Sequence, residues 1–119
     1  MRSTTGLSPA GTGGWLAQFV IGLRVPGVFW RAERYEGGAY TLRLYSEDTL
    51  SWATADHVPC GAREFEVMQS GPRELWGEVE RAFRWWERGG RPGFERFGLT
   101  VGAEGQRAWL DDPEDSWPV

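Results

Sequence analysis

The chain predicts an α+β domain, with an antiparallel sheet of about five or six strands and two helices packed on one face. Three observations lead there. Apolar and polar residues alternate with a period of two in several short runs between Val28 and Gln69, the pattern of strands with one dry and one wet face. A single long stretch, Pro72 to Arg88, instead repeats its apolar residues at helical spacing and is bracketed by Gly71-Pro72 and by Gly89-Gly90 and Pro92. Eight Trp, six Phe and three Tyr among 119 residues supply enough apolar bulk for one core without metal or disulfide support.

Residues 1–14 are rich in Ser, Thr, Gly and Pro and read as a flexible linker or tail. Trp15 to Leu23 carries apolar groups at helical intervals and stops at Val25-Pro26-Gly27, where the pre-proline restriction and the glycine both oppose continuation. Val28, Trp30 and Ala32 then alternate with Phe29, Arg31 and Glu33, and after Glu36-Gly37-Gly38 the residues Tyr40, Leu42 and Leu44 alternate with Thr41, Arg43 and Tyr45. These two runs form a hairpin with one apolar face. Leu50, Trp52 and Thr54 predict a third strand, and Phe65, Val67 and Gln69 a fourth opposite Glu64 and Glu66. In the Pro72–Arg88 helix, Leu75, Val79, Ala82, Phe83 and Trp86 share a stripe facing the sheet, with Trp76 at its edge. Arg73, Glu80, Arg84 and Arg88 point away from it. A tight turn at Ala103-Glu104-Gly105-Gln106 joins two short strands, and residues 114–119 read as a solvated acidic tail behind a single domain spanning 15–113.

Charge and composition exclude several function classes. A formal charge of −4 disfavours nucleic acid or an anionic membrane as the main partner, because phosphate binding needs clustered cations. One Cys excludes an internal disulfide, and no run approaches the roughly 18 apolar residues of a membrane span, so a reducing cytoplasm is the expected compartment. All thirteen basic residues are Arg, which points to coding bias in a GC-rich genome rather than to selection for bidentate anion contacts, although Arg is the better side chain for pairing with carboxylates.

The segments GPRELWGEVERAFRWW, GRPGFERFGLTV and GQRAWLDDP resemble the C-terminal accessory region of actinobacterial methyltransferases similar to protein-L-isoaspartate O-methyltransferase, which accompany ATP-grasp ligases in peptide maturation. The likeness is dense over residues 71–113, looser from Trp15 to Met68 and absent before that. It implies a link to an S-adenosylmethionine-dependent enzyme that methylates aspartate carboxylates of a ribosomally made peptide. The cofactor fold itself is not predicted here, since Gly11-Thr12-Gly13-Gly14 follows no apolar strand and Leu16 stands where a third glycine would be required. No catalytic, cofactor-binding or metal-binding residue is therefore assigned and no cofactor is expected. The implied role is to help bind the acidic peptide or to dock a methyltransferase catalytic domain; a free-standing protein- or peptide-binding module is the alternative.

The sequence points to one partner-binding surface, made of Glu78, Arg81, Arg84 and Trp85. Trp85 falls off the core stripe beside Glu74, Glu78 and Arg81, and an off-stripe aromatic beside arginine is a typical interface anchor. The competing reading is that the Pro92-Gly93-Phe94 loop covers Trp85 within the domain. The open sheet face around Arg31, Arg43 and Glu66 is the second choice for a docking surface. His57 and Cys60, with Asp56 as the neighbouring carboxylate, have the residue types of a nucleophilic pair or half a zinc site, yet a zinc site wants four ligands and the ordinary loop composition around them favours a loop pair at a strand connection. Asp111, Asp112, Glu114 and Asp115 lack the spacing of a calcium loop. A carbohydrate platform of tryptophans is disfavoured because most of them occupy core-facing positions.

Overall fold

A computed structural model describes residues 1–9, 15–58 and 64–119. Its elements are β1 (Arg2–Thr5), α1 (Trp15–Arg24), β2 (Phe29–Arg34), β3 (Tyr40–Ser46), β4 (Ser51–His57), β5 (Phe65–Ser70), α2 (Leu75–Arg88), β6 (Phe97–Gly102), β7 (Gly105–Leu110) and β8 (Ser116–Pro118). All strand pairing is antiparallel, in a five-stranded sheet ordered β1-β5-β4-β3-β2 and a three-stranded sheet ordered β6-β7-β8. This is the expected α+β arrangement, with the strands divided between two sheets.

Alternation along β2 to β5 produces the two faces of the larger sheet. Trp30, Leu44, Ala53 and Gln69 stand abreast on one face, as do Ala32, Leu42, Ala55 and Val67 one step along. Leu42, Leu44, Ala53, Ala55 and Val67 are buried under the helices, where they meet Val20 and Ile21 of α1 and Leu75, Trp76, Val79, Ala82, Phe83 and Trp86 of α2. The stripe predicted for α2 is thus its buried face. Trp86 is buried on this face and its indole N–H donates to the Pro92 carbonyl at 3.0 Å, which fixes the turn that follows the helix. The opposite sheet face carries Phe29, Tyr45 and Trp52 in one row and Arg31, Arg43 and Met68 in the next, all open to solvent.

Several local expectations are corrected. Arg2–Thr5 is an edge strand on β5 rather than part of a tail, and Thr5 is buried with its hydroxyl donating to Glu80 at 2.9 Å. A free strand edge can recruit a neighbour through main-chain hydrogen bonds whatever its side chains, so composition gave no warning. The Gly11–Gly14 cluster lies outside the described residues. Ser116–Pro118 pairs with β7 instead of continuing the acidic tail. Helix α2 starts at Leu75, three residues later than the proline suggested, since Arg73 is held outside it: its N–H donates to Ser51 Oγ, and its guanidinium forks onto Glu78 at 2.6 and 2.9 Å and reaches the Pro26 carbonyl. Arg73 therefore faces the molecule, not solvent. Gly71 is required at this corner, with φ of +103° and a would-be Cβ 2.6 Å from the Ser51 Cα.

Candidate peptide-binding groove

Helical spacing sets Glu78, Arg81, Ala82, Trp85 and Arg88 along one flank of α2, with Arg84 beside them. The neighbouring helix α1 ends at Arg24 against the same flank. Together these residues line an open groove of about 560 Å³. All four residues singled out from the sequence, Glu78, Arg81, Arg84 and Trp85, meet there.

Among the described residues one aromatic side chain, Trp85, lines the groove. Trp85 is half-buried, packed edge-on against Trp117 of β8 at 5.4 Å and tilted against Phe97 of β6 at 6.3 Å. The Arg24 guanidinium lies 4.4 Å from the Trp85 ring centroid and 4.7 Å from that of Trp117, close enough for both rings' negative faces to attract it. Trp117 is locked in place by its indole N–H, which donates to the Leu23 carbonyl at 2.7 Å. The predicted Pro92-Gly93-Phe94 cover does not form, for Phe94 packs on Trp15 instead at 5.8 Å. Trp85 therefore serves both the domain and the groove.

Charge on the groove is unbalanced. Glu78 is engaged by Arg73, and Arg84 is paired with Glu80 at 3.2 Å. Among the described residues Arg81 and Arg88 have no carboxylate partner. Burial pulls the Arg24 guanidinium below its ordinary pKa, and the Asp115 carboxylate opposes that shift. A second anion beside Arg24 would act in the same sense as Asp115, favouring the charged guanidinium. The groove can accordingly accept carboxylates and main-chain carbonyls of an extended segment while an apolar side chain rests on Trp85.

Arg24 and Trp117 escaped the sequence reading. The only local signal for Arg24 was its place in the last helical turn, and Trp117 sat in what read as a solvated tail. Neither residue's role follows from its own neighbourhood, because their contact spans most of the chain.

The other candidates are not assembled. His57 stacks between Tyr40 at 5.1 Å and Phe65 at 5.7 Å, with Nδ1 buried and without a hydrogen-bond partner among the described residues. Asp56 accepts a 2.7 Å bond from the Thr41 hydroxyl on the opposite face of β4, so it does not orient the imidazole. Cys60 lies outside the described residues. Asp111 is engaged by Arg96, and no group of three or more His, Cys, Asp or Glu among the described residues could hold a metal ion. No helix among them is long and apolar enough to cross a membrane.

No protein-family model, curated protein or solved structure matches this chain.

Proposed function

We propose that this chain is a non-catalytic accessory domain of an S-adenosylmethionine-dependent, protein-L-isoaspartate-type peptide methyltransferase, and that it holds the acidic ribosomal peptide for a catalytic domain. The resemblance over residues 71–113 supplies the enzyme class. The observation that carries the binding role is the groove itself, where Arg24, Arg81, Arg84 and Arg88 surround Trp85 and the one acidic lining residue, Glu78, is already paired. On a chain of net charge −4, this is a local inversion of sign suited to an acidic segment. Guanidinium forks grip carboxylates and the indole grips an apolar side chain, while a methyl donor is brought by the catalytic domain.

Fluorescence anisotropy tests the reading with two labelled peptides of equal length, one rich in Asp and the other with Asn in every Asp position. The acidic peptide should bind more tightly, and less so as salt is raised. Arg81→Glu together with Arg88→Glu should weaken it about 10- to 100-fold, which corresponds to roughly 1.4 to 2.8 kcal/mol. Trp85→Phe should weaken both peptides alike. Equal affinity for the acidic and neutral peptides would remove the basis for the proposal. Calorimetry of the chain with S-adenosylmethionine should give no heat of binding, and micromolar affinity would contradict the non-catalytic assignment.

A further inference from the structure

The two groove arginines that lack a carboxylate partner among the described residues stand on either side of Trp85. Arg81 precedes it by four residues of α2 and Arg88 follows it by three. At 3.6 residues per turn, Arg81 and Arg88 fall within about 20° of one line along the helix, and Trp85 lies about 40° from Arg81 on the same flank. The rise of the helix sets the two arginine backbones about 10.5 Å apart, with that of Trp85 about 6 Å from the first and about 4.5 Å from the second. Long helical side chains lean together towards the N-terminus, so the order of cation, ring and cation is kept at the surface. Arg81 shows this lean, its Nη1 passing 3.4 Å from where a Cβ on Gly77 would stand.

An extended peptide meets that order in one pattern. Its residues rise about 3.3 Å each and alternate faces, so positions i, i+2 and i+4 share one side over about 13 Å. The surplus of about 3 Å over the arginine spacing is within the swing of two flexible arginine stems. A helical peptide could also reach both arginines, but a helix about 10 Å across fills about 800 Å³ over this length, more than the groove of about 560 Å³. The chain's own end supplies a precedent. Asp115 and Trp117, two residues apart, already serve the neighbouring wall: the Asp115 charge favours the charged form of Arg24, and the Trp117 ring packs edge-on against Trp85 at 5.4 Å.

We infer, resting on the peptide-binding reading above, that the groove selects an extended peptide by the pattern acid-x-apolar-x-acid, with one carboxylate on Arg81, the other on Arg88 and the apolar side chain on Trp85 between them. Acids at adjacent positions point to opposite faces, so only one of such a pair reaches α2. Arg84 is held by Glu80 and adds little to the choice. The pattern reads the same in both chain directions, so either polarity of the peptide satisfies it.

Fluorescence anisotropy of the full chain with three labelled peptides of one composition tests this. Gly-Asp-Ser-Leu-Ser-Asp-Gly carries the pattern; Gly-Asp-Leu-Ser-Ser-Asp-Gly turns the leucine to the other face, and Gly-Ser-Asp-Leu-Asp-Ser-Gly turns both acids away from it. Their net charge is identical, so general attraction to the basic groove cancels. The patterned peptide should bind about tenfold tighter than either isomer, equivalent to roughly 1.4 kcal/mol. Arg81→Gln and Arg88→Gln, both at exposed positions where circular dichroism should stay unchanged, should each erase most of that advantage. Arg31→Gln, an equal loss of charge on the far face of the larger sheet, should leave it intact. Equal affinity for the three isomers, with acidic peptides still preferred to their Asn counterparts, would overturn the pattern and leave the peptide-binding reading standing. So would an advantage that Arg31→Gln removes as fully as Arg88→Gln does. Tighter binding of Asp-Ser-Ser-Ser-Leu-Ser-Ser-Asp, whose spacing suits a helix, than of a patterned peptide of equal length would overturn the extended form. Loss of the acid preference altogether would remove both readings.

Discussion

Truncating Trp86 should remove a large part of the stability of this domain, and its neighbour Trp85 provides the control. Trp86 is 6% exposed, packs edge-on against Phe83 at 5.7 Å and donates its indole N–H to the Pro92 carbonyl. Trp86→Ala therefore loses nearly the whole burial of an indole and leaves a cavity, a change that costs about 3 to 5 kcal/mol, and it orphans a buried carbonyl. Small domains have about 5 to 15 kcal/mol in total. The expected fall in thermal midpoint is roughly 12 to 25 °C, at about 4 to 5 °C per kcal/mol for a domain of this size. Trp85 is half-buried and its indole N–H has no hydrogen-bond partner among the described residues, so Trp85→Ala should cost about 1 to 2.5 kcal/mol through its contacts with Trp117, Phe97 and Arg24. Trp86→Phe separates the two contributions, retaining most of the ring burial while losing the bond to Pro92, and should fall between about 1 and 2 kcal/mol. Urea unfolding followed by circular dichroism measures all three, provided the slope m stays constant. Equal losses for Trp85→Ala and Trp86→Ala would refute the phase of α2, and a loss under about 1 kcal/mol at Trp86 would refute its place in the core.

Other consequences are equally open to measurement. Gly71→Ala combines a positive φ with a clash against the Ser51 backbone and should cost at least about 2 kcal/mol in the same urea assay; a neutral result would mean this corner relaxes freely. Trp117→Ala should free the small sheet, raising hydrogen exchange at the amides of β7 while those of β3 and β4 stay protected. Uniform exchange across both sheets would contradict that division. Hydrogen bonds from Arg43 and then Tyr35 hold the Glu33 carboxyl below its ordinary pKa. A carboxyl with a depressed folded-state pKa contributes stability above its unfolded value and loses it as pH falls through the folded value, so the small contribution of Glu33 should fade in acid. In an NMR titration its midpoint should lie below that of free glutamate and rise in Arg43→Met, and an unchanged midpoint would discount the pair.

Much of the architecture was legible because period carries it. Leu75, Val79, Phe83 and Trp86 recur at helical spacing and are buried, and the alternation of Leu42 and Leu44 with Arg43 and Tyr45 places the dry face of β3 correctly. The surface comprising Glu78, Arg81, Arg84 and Trp85 was also readable, since residues three and four apart on a helix must share a flank. Short elements held by the main chain were not readable. β1 and β8 have no side-chain pattern of their own and exist because β5 and β7 offer them an edge.

Sequence alone therefore determined which side of α2, β3 and β5 is apolar, because hydrophobic periodicity is a local property written in consecutive residues, whereas in β4 the run Leu50, Trp52 and Thr54 lies on the solvent side and Ser51, Ala53 and Ala55 are buried. Only the tertiary structure decided what lies beside Trp85. Trp117 reaches Leu23 across 94 positions and brings Arg24 over the indole rings, turning a helix flank into a walled groove. A contact of that range depends on where two sheets and two helices finally pack, and no period within the chain encodes it.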